Sequence, residues 1–179
     1  MPDGISTYSA LDPAALLWVH ATLVDTALRV YGRFVAPLSA ADEQAYHEES
    51  GRVAIMLGVP DALLPARIDE LRAWMNDRMS DGTIRVTPGA RRIAETVLYP
   101  LRVVPRLAWD AAHLISLSTL PTGLRGQYVI GWSSGRERGV ERIAQVSRRT
   151  LPRLPSTLRH APQARAALRR VDQVAGSTR

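Results

Sequence analysis

Apolar residues along the chain recur at helical rather than alternating spacing. In the first long segment, Leu16, His20, Leu23, Val24, Ala27 and Tyr31 follow an i, i+3, i+4 rhythm, which predicts one inward helix face over about 13–34. Asp12-Pro13 supplies its start, a capping carboxylate followed by Pro at the first helical position. Ser39 with Asp42 and Glu43 opens a second helix, whose apolar surface is expected from Tyr46, Val53, Ile55, Met56 and Leu57 before Gly58 and Pro60 stop it. Ile68, Leu71, Met75 and Met79 mark a third helix over about 65–79, closed by Ser80-Asp81-Gly82. Thr87-Pro88 repeats the cap-then-Pro signal for a fourth, to about Tyr99. A fifth runs from about Val104 to Leu120, and a sixth from about Arg136 to Thr150.

Between the last two, Pro121 to Arg125 reads as a turn leading into Tyr128-Val129-Ile130-Gly131-Trp132. This is the one strand-like run, and among helical neighbours a short helix or extended cover strip suits it better. The pattern as a whole predicts an all-α fold. The division expected is one helical domain over 1–150 and a basic, Pro-interrupted tail over 151–179.

With 179 residues, 46% of them hydrophobic, the chain can bury one sizeable core. It has no Cys, which removes disulfides, thiolate metal sites and Cys nucleophiles. No apolar run approaches the ~20 residues a spanning helix needs, and no basic leader precedes one, so a soluble, cytoplasmic protein is expected.

The net charge of +6 is concentrated late. Up to Leu124 there are 11 Arg against 14 acidic residues, and from Arg125 onward 12 Arg against 3. Every basic residue is Arg and none is Lys, which reads as the codon bias of a GC-rich genome rather than a nucleic-acid surface. Arg136, Arg138, Arg142, Arg148, Arg149 and Arg153 share a helix whose Val140, Ile143, Val146 and Leu151 are expected to face the other way. That is a solvated amphipathic helix, with contact to an anionic membrane surface as a second reading. Nucleic acid is not expected, since no aromatic interleaving or groove-reading motif accompanies the charge.

His20 is the first candidate for chemistry. It sits mid-helix on the apolar face with Trp18 and Thr22 beside it, and a neutral imidazole there serves as iron ligand, water-orienting group or satisfied core residue. Trp18 and His20 are expected to border whatever cavity the fold encloses. His47-Glu48-Glu49 lacks the His-Glu-x-x-His spacing of a metal helix and reads as a solvated acidic helix start. His113 reads as a core His, and His160 falls in the tail. Gly-rich phosphate loops, a Gly-x-Ser-x-Gly elbow and spaced carboxylate pairs are absent.

Several short segments, in order, resemble the oxygenase family of MpaB and the latex-clearing protein (rubber oxygenase). They are Pro2-Asp3-Gly4 with Tyr8-Ser9-Ala10, Asp12-Pro13, Leu17 to Thr22, Pro37-Leu38-Ser39, Tyr46-His47-Glu48, Leu57 to Pro60, and Leu120-Pro121-x-x-Leu124-Arg125. The resemblance spans roughly 2–132. It implies a helical, globin-like fold, haem b as cofactor, and oxidative cleavage of a carbon–carbon double bond in an isoprenoid or polymer, a hydrophobic molecule. It also implies an axial His in a His-x-x-x-Arg segment, preceded by an Arg-x-x-x-Thr helix, both N-terminal to the matched stretch. Neither carries over to a position here, and His20 is not that residue.

Trp18 and His20 therefore stand as cofactor-side candidates, with no catalytic residue and no metal site assigned. Haem is expected to bind this chain weakly or not at all. The two function classes are the C-terminal part of a haem-dependent oxygenase and a non-catalytic helical binding or oligomerisation module, with self-association expected in either case.

Overall fold

The computed structural model describes residues 9, 11–98, 106–128 and 131–155, and these form an all-helical domain with no strand among them. Its helices are α1 (Pro13–Phe34), α2 (Ala40–Met56), α3 (Ile68–Ser80), α4 (Pro88–Leu98), α5 (Arg106–Thr119), α6 (Thr122–Gln127) and α7 (Ser134–Thr150). None is long and apolar enough to cross a membrane. The start and end signals act as read. Asp12 accepts from the Ala14 N–H at 3.0 Å, Ser39 and Asp42 form a reciprocal capping box, and Thr87 accepts from the Ala90 N–H.

Helix α1 is the spine. Its first half packs against α2 and α3, where Leu17, Ala21, Val24 and Leu28 meet Ala54, Val59, Ile68, Leu71 and Met75. Its far end packs against α5 and α7, where Phe34 meets Val140 and Ala144. Ion pairs from Arg33 to Glu137 (2.5 Å) and Glu141 (3.8 Å) fasten that end to α7.

At Gly58 the chain turns at φ +103°, a left-handed conformation that favours glycine. The Val59 N–H then reaches the Ala54 carbonyl and the Gly58 N–H that of Ile55, satisfying the last carbonyls of α2. The same turn drops Val59 into the core.

Several expected faces are corrected. The buried stripe of α1 is rotated by roughly a quarter turn from the expected one. Leu17, Ala21 and Leu28 are inside with His20 and Val24, while Leu23 and Tyr31 are exposed and Leu16 and Ala27 only partly covered. On α2 the inward residues are His47, Gly51 and Ala54, and all five expected apolar residues face out, Met56 at 84% exposure. Small residues carry the inward side: Ala21 and Ala54 are fully buried in the core shared by α1, α2 and α3, and Gly51 packs against Leu64. A Cβ on Gly51 would meet Leu64 at 2.8 Å.

On α7, Val140 is inside, joined by Ala144, but Ile143 and Val146 are exposed. The turn expected over 121–125 is instead the start of α6, with Tyr128 at its C-cap. Helix α3 begins at Ile68, later than expected, and Asp61–Leu63 form a 3-10 turn before it. Residues 129–130 and the tail beyond 155, with His160, lie outside the described residues.

Candidate functional site

Two histidines are buried between α1 and its neighbours, and each keeps a ring nitrogen without a partner. His20 is 5% exposed and its Nε2 is buried and unpartnered. His47, expected in solvent, is 2% exposed, which corrects that reading. Its Nε2 lies 2.8 Å from the Pro65 carbonyl. A carbonyl only accepts, so His47 Nε2 is the donor, and the other ring nitrogen, Nδ1, is buried and unpartnered.

Burial holds the His20 pKa below its ordinary value, and the nearby His47 adds to the shift. The imidazole is therefore neutral at neutral pH, and its one unprotonated nitrogen can bind a metal or accept a proton.

That shift predicts a pH dependence. The unfolded chain takes up the His20 proton near its ordinary pKa of 6.5, while the folded chain resists it to lower pH. Stability is fully present above 6.5 and declines as pH falls toward the folded pKa, by at most about 1.4 kcal/mol per pH unit from this group. Thermal unfolding from pH 8 to 5 should show the fall beginning near 6.5, and His20→Leu should flatten it. An unchanged profile in that variant would remove His20 as the cause.

Beside the histidines runs an ion network that ties three helices. Asp25 on α1 is buried and accepts from Arg29 Nε at 2.6 Å and from Arg72 Nε on α3 at 3.2 Å. Arg72 Nη1 reaches Glu43 on α2 at 2.8 Å. Its pKa is raised, first by the hydrogen bond to Glu43 and also by that to Asp25, against the cost of burial.

Two apolar cavities open elsewhere. The first, about 350 Å³, lies between the start of α1 and α3, with Trp18, Val19, Trp74 and Ile84 as walls and Asp12 and Arg78 at its polar edge. The Trp18 and Trp74 rings stand 6.1 Å apart at 49°, and the Arg78 guanidinium lies 5.6 Å from the Trp74 ring. The second, about 440 Å³, lies between α4, α5 and the end of α6, against Ile93, Val97, Leu117, Leu120 and Tyr128.

The two cofactor-side candidates are thus separated. Trp18 lines the first cavity; His20 lines neither and points to a different side of α1. His113 on α5 is half-buried. Among the described residues no three metal-ligating side chains cluster.

Sequence reasoning missed the inward His47 and the Asp25–Arg72–Glu43 bridge. The spacing of His47, Gly51 and Ala54, at i, i+4 and i+7, was the available signal, hidden because small residues carry little hydrophobic weight. What the arrangement can do chemically is hold a neutral, unpartnered imidazole in an apolar setting and accommodate apolar molecules in two grooves.

A family model described as ER-bound oxygenase mpaB/B'/Rubber oxygenase, catalytic domain, matches residues 1–149. No curated protein and no solved structure matches the chain.

Proposed function

The chain belongs to this mpaB/rubber oxygenase catalytic-domain family, and from that premise we propose that it is an oxygenase domain acting on a hydrophobic, unsaturated molecule, with His20 as its cofactor-side candidate and Trp18 on the wall of an apolar groove on a different side of α1. The observation that carries the reading is the buried, unpartnered Nε2 of His20 within the matched residues. A buried nitrogen left without a hydrogen bond costs the fold free energy, so its retention calls for a reason, and a cofactor-side role is the one proposed.

Haem b is the cofactor the resemblance implies, and the residues as packed do not fit it. The donor has the right character, but among the described residues it is buried, and neither of the two cavities described above reaches it. A haem site needs room for the macrocycle as well as an axial nitrogen. The purified chain is therefore expected to hold haem well below one equivalent after expression in haem-replete cells, read from its absorption spectrum, and His20→Ala to lower that further. One full equivalent in the parent, lost in His20→Ala, would overturn the closed-site reading. Haem content indifferent to His20→Ala would overturn the assignment of His20.

The outward apolar residues of α2 and α4, Val53, Met56, Leu57, Ile93 and Val97, favour a second reading as a self-associating helical module. Size-exclusion chromatography against concentration separates the two, since that module would be oligomeric with no haem dependence on His20.

A further inference from the structure

We infer that the outward face of α7 is a docking surface for anionic lipid headgroups. Arg138, Arg142, Arg149 and Arg153 are all exposed and stand at i, i+4, i+11 and i+15, which places them in one row along the helix and the turn after it. No acidic residue shares the row. Glu137 and Glu141 lie on the flank toward α1, where Arg33 engages both and Arg148 engages Glu141 at 3.3 Å. Arg138, Arg142 and Arg149 make no ion pair among the described residues. The inner side of the helix is fixed by Val140 and Ala144, so the row cannot rotate inward.

Three features select lipid over the other polyanions and over a second copy. Val146 and Ile143 are exposed beside the arginines, and apolar side chains bordering a basic row suit the boundary between headgroup and acyl chain. No aromatic residue lies in the row for base stacking, and one convex helix offers no groove for a nucleic-acid backbone. A second copy offers a poorer counterpart on α2, where Asp42 is held by Ser39, Glu43 by Arg72 and Glu48 by Gln44, leaving Glu49 as the exposed carboxylate of that helix without such a partner among the described residues. Planar guanidinium groups also suit phosphate oxygens better than ammonium does. The inference does not depend on the oxygenase reading.

Sedimentation of the full chain with phosphatidylcholine vesicles, with and without phosphatidylserine as about one third of the lipid, tests it. Binding is expected only to the phosphatidylserine vesicles, falling as salt rises. Arg142→Ser/Arg149→Ser should weaken it about thirty-fold, and Val146→Ser should weaken it by a smaller factor. Circular dichroism confirms that each variant keeps its helices. The inference is overturned by absence of binding to the anionic vesicles, by equal binding to phosphatidylcholine alone, or by a double variant that binds like the parent. Tighter binding to duplex DNA, or a dimer that dissociates on the double substitution, overturns it in favour of nucleic acid or a second copy.

Discussion

Leu71→Ala should remove about 3 kcal/mol of stability, measured by urea unfolding. Leu71 is fully buried at the meeting of α1, α2 and α3, in one cluster with Leu17, Val24, Ala54 and Val59. Truncation loses the transfer free energy of the removed carbons and leaves a space the surroundings fill only in part. That surrounding is stiff: Ala21 and Ala54 have no side chain to swing inward, and Val59 is held by the helix-ending turn. For a domain whose total stability is of order 5–15 kcal/mol, the loss is a large fraction. A change under about 1 kcal/mol would mean the three helices do not close on Leu71 as described.

Arg72→Met is expected to cost about 2–3 kcal/mol by the same measurement. The substitution keeps an unbranched apolar stem and deletes the charge that joins Asp25 to Glu43. Asp25 is then left with Arg29 alone in a position where its side chain is 8% exposed. The figure sits below that for a fully buried pair because the Arg72 side chain is itself about one-third exposed and solvent screens it. Arg67→Met, which breaks the exposed Arg67–Asp69 pair, is the contrast and should leave stability unchanged. Equal effects at the two positions would show that the buried bridge contributes no more than a surface pair.

Periodicity and capping made the helices legible. Asp12-Pro13, Ser39 with Asp42, Thr87-Pro88 and Gly58 are local signals whose physics is complete within a few residues, and each acts in the structure as its chemistry dictates. Which side of each helix turns inward was less legible, because that depends on partners. Small residues, Ala21 on α1 and Gly51 and Ala54 on α2, are among those buried, and hydrophobic patterning gives weight to large side chains instead. His47 shows the same limit at the candidate site: its neighbours Glu48 and Glu49 suggested water, yet helical spacing turns them roughly 100° and 160° away from it. His20 was legible because its burial follows from the apolar residues on its own helix. The groove of Trp18 was not, since Trp74 lies 56 residues away and only tertiary contact brings the rings together.

The central claim is that His20 presents the neutral, unpartnered nitrogen that marks the cofactor side of this domain. Nitrogen-15 spectra of the imidazoles, recorded through a pH titration and then with excess haemin, test it most directly. His20 should stay neutral to a pH below its ordinary 6.5, and haemin should reach its signals only in excess, as the closed packing requires. A His20 ring that titrates at or above 6.5, or signals that no excess of haemin broadens, would contradict it.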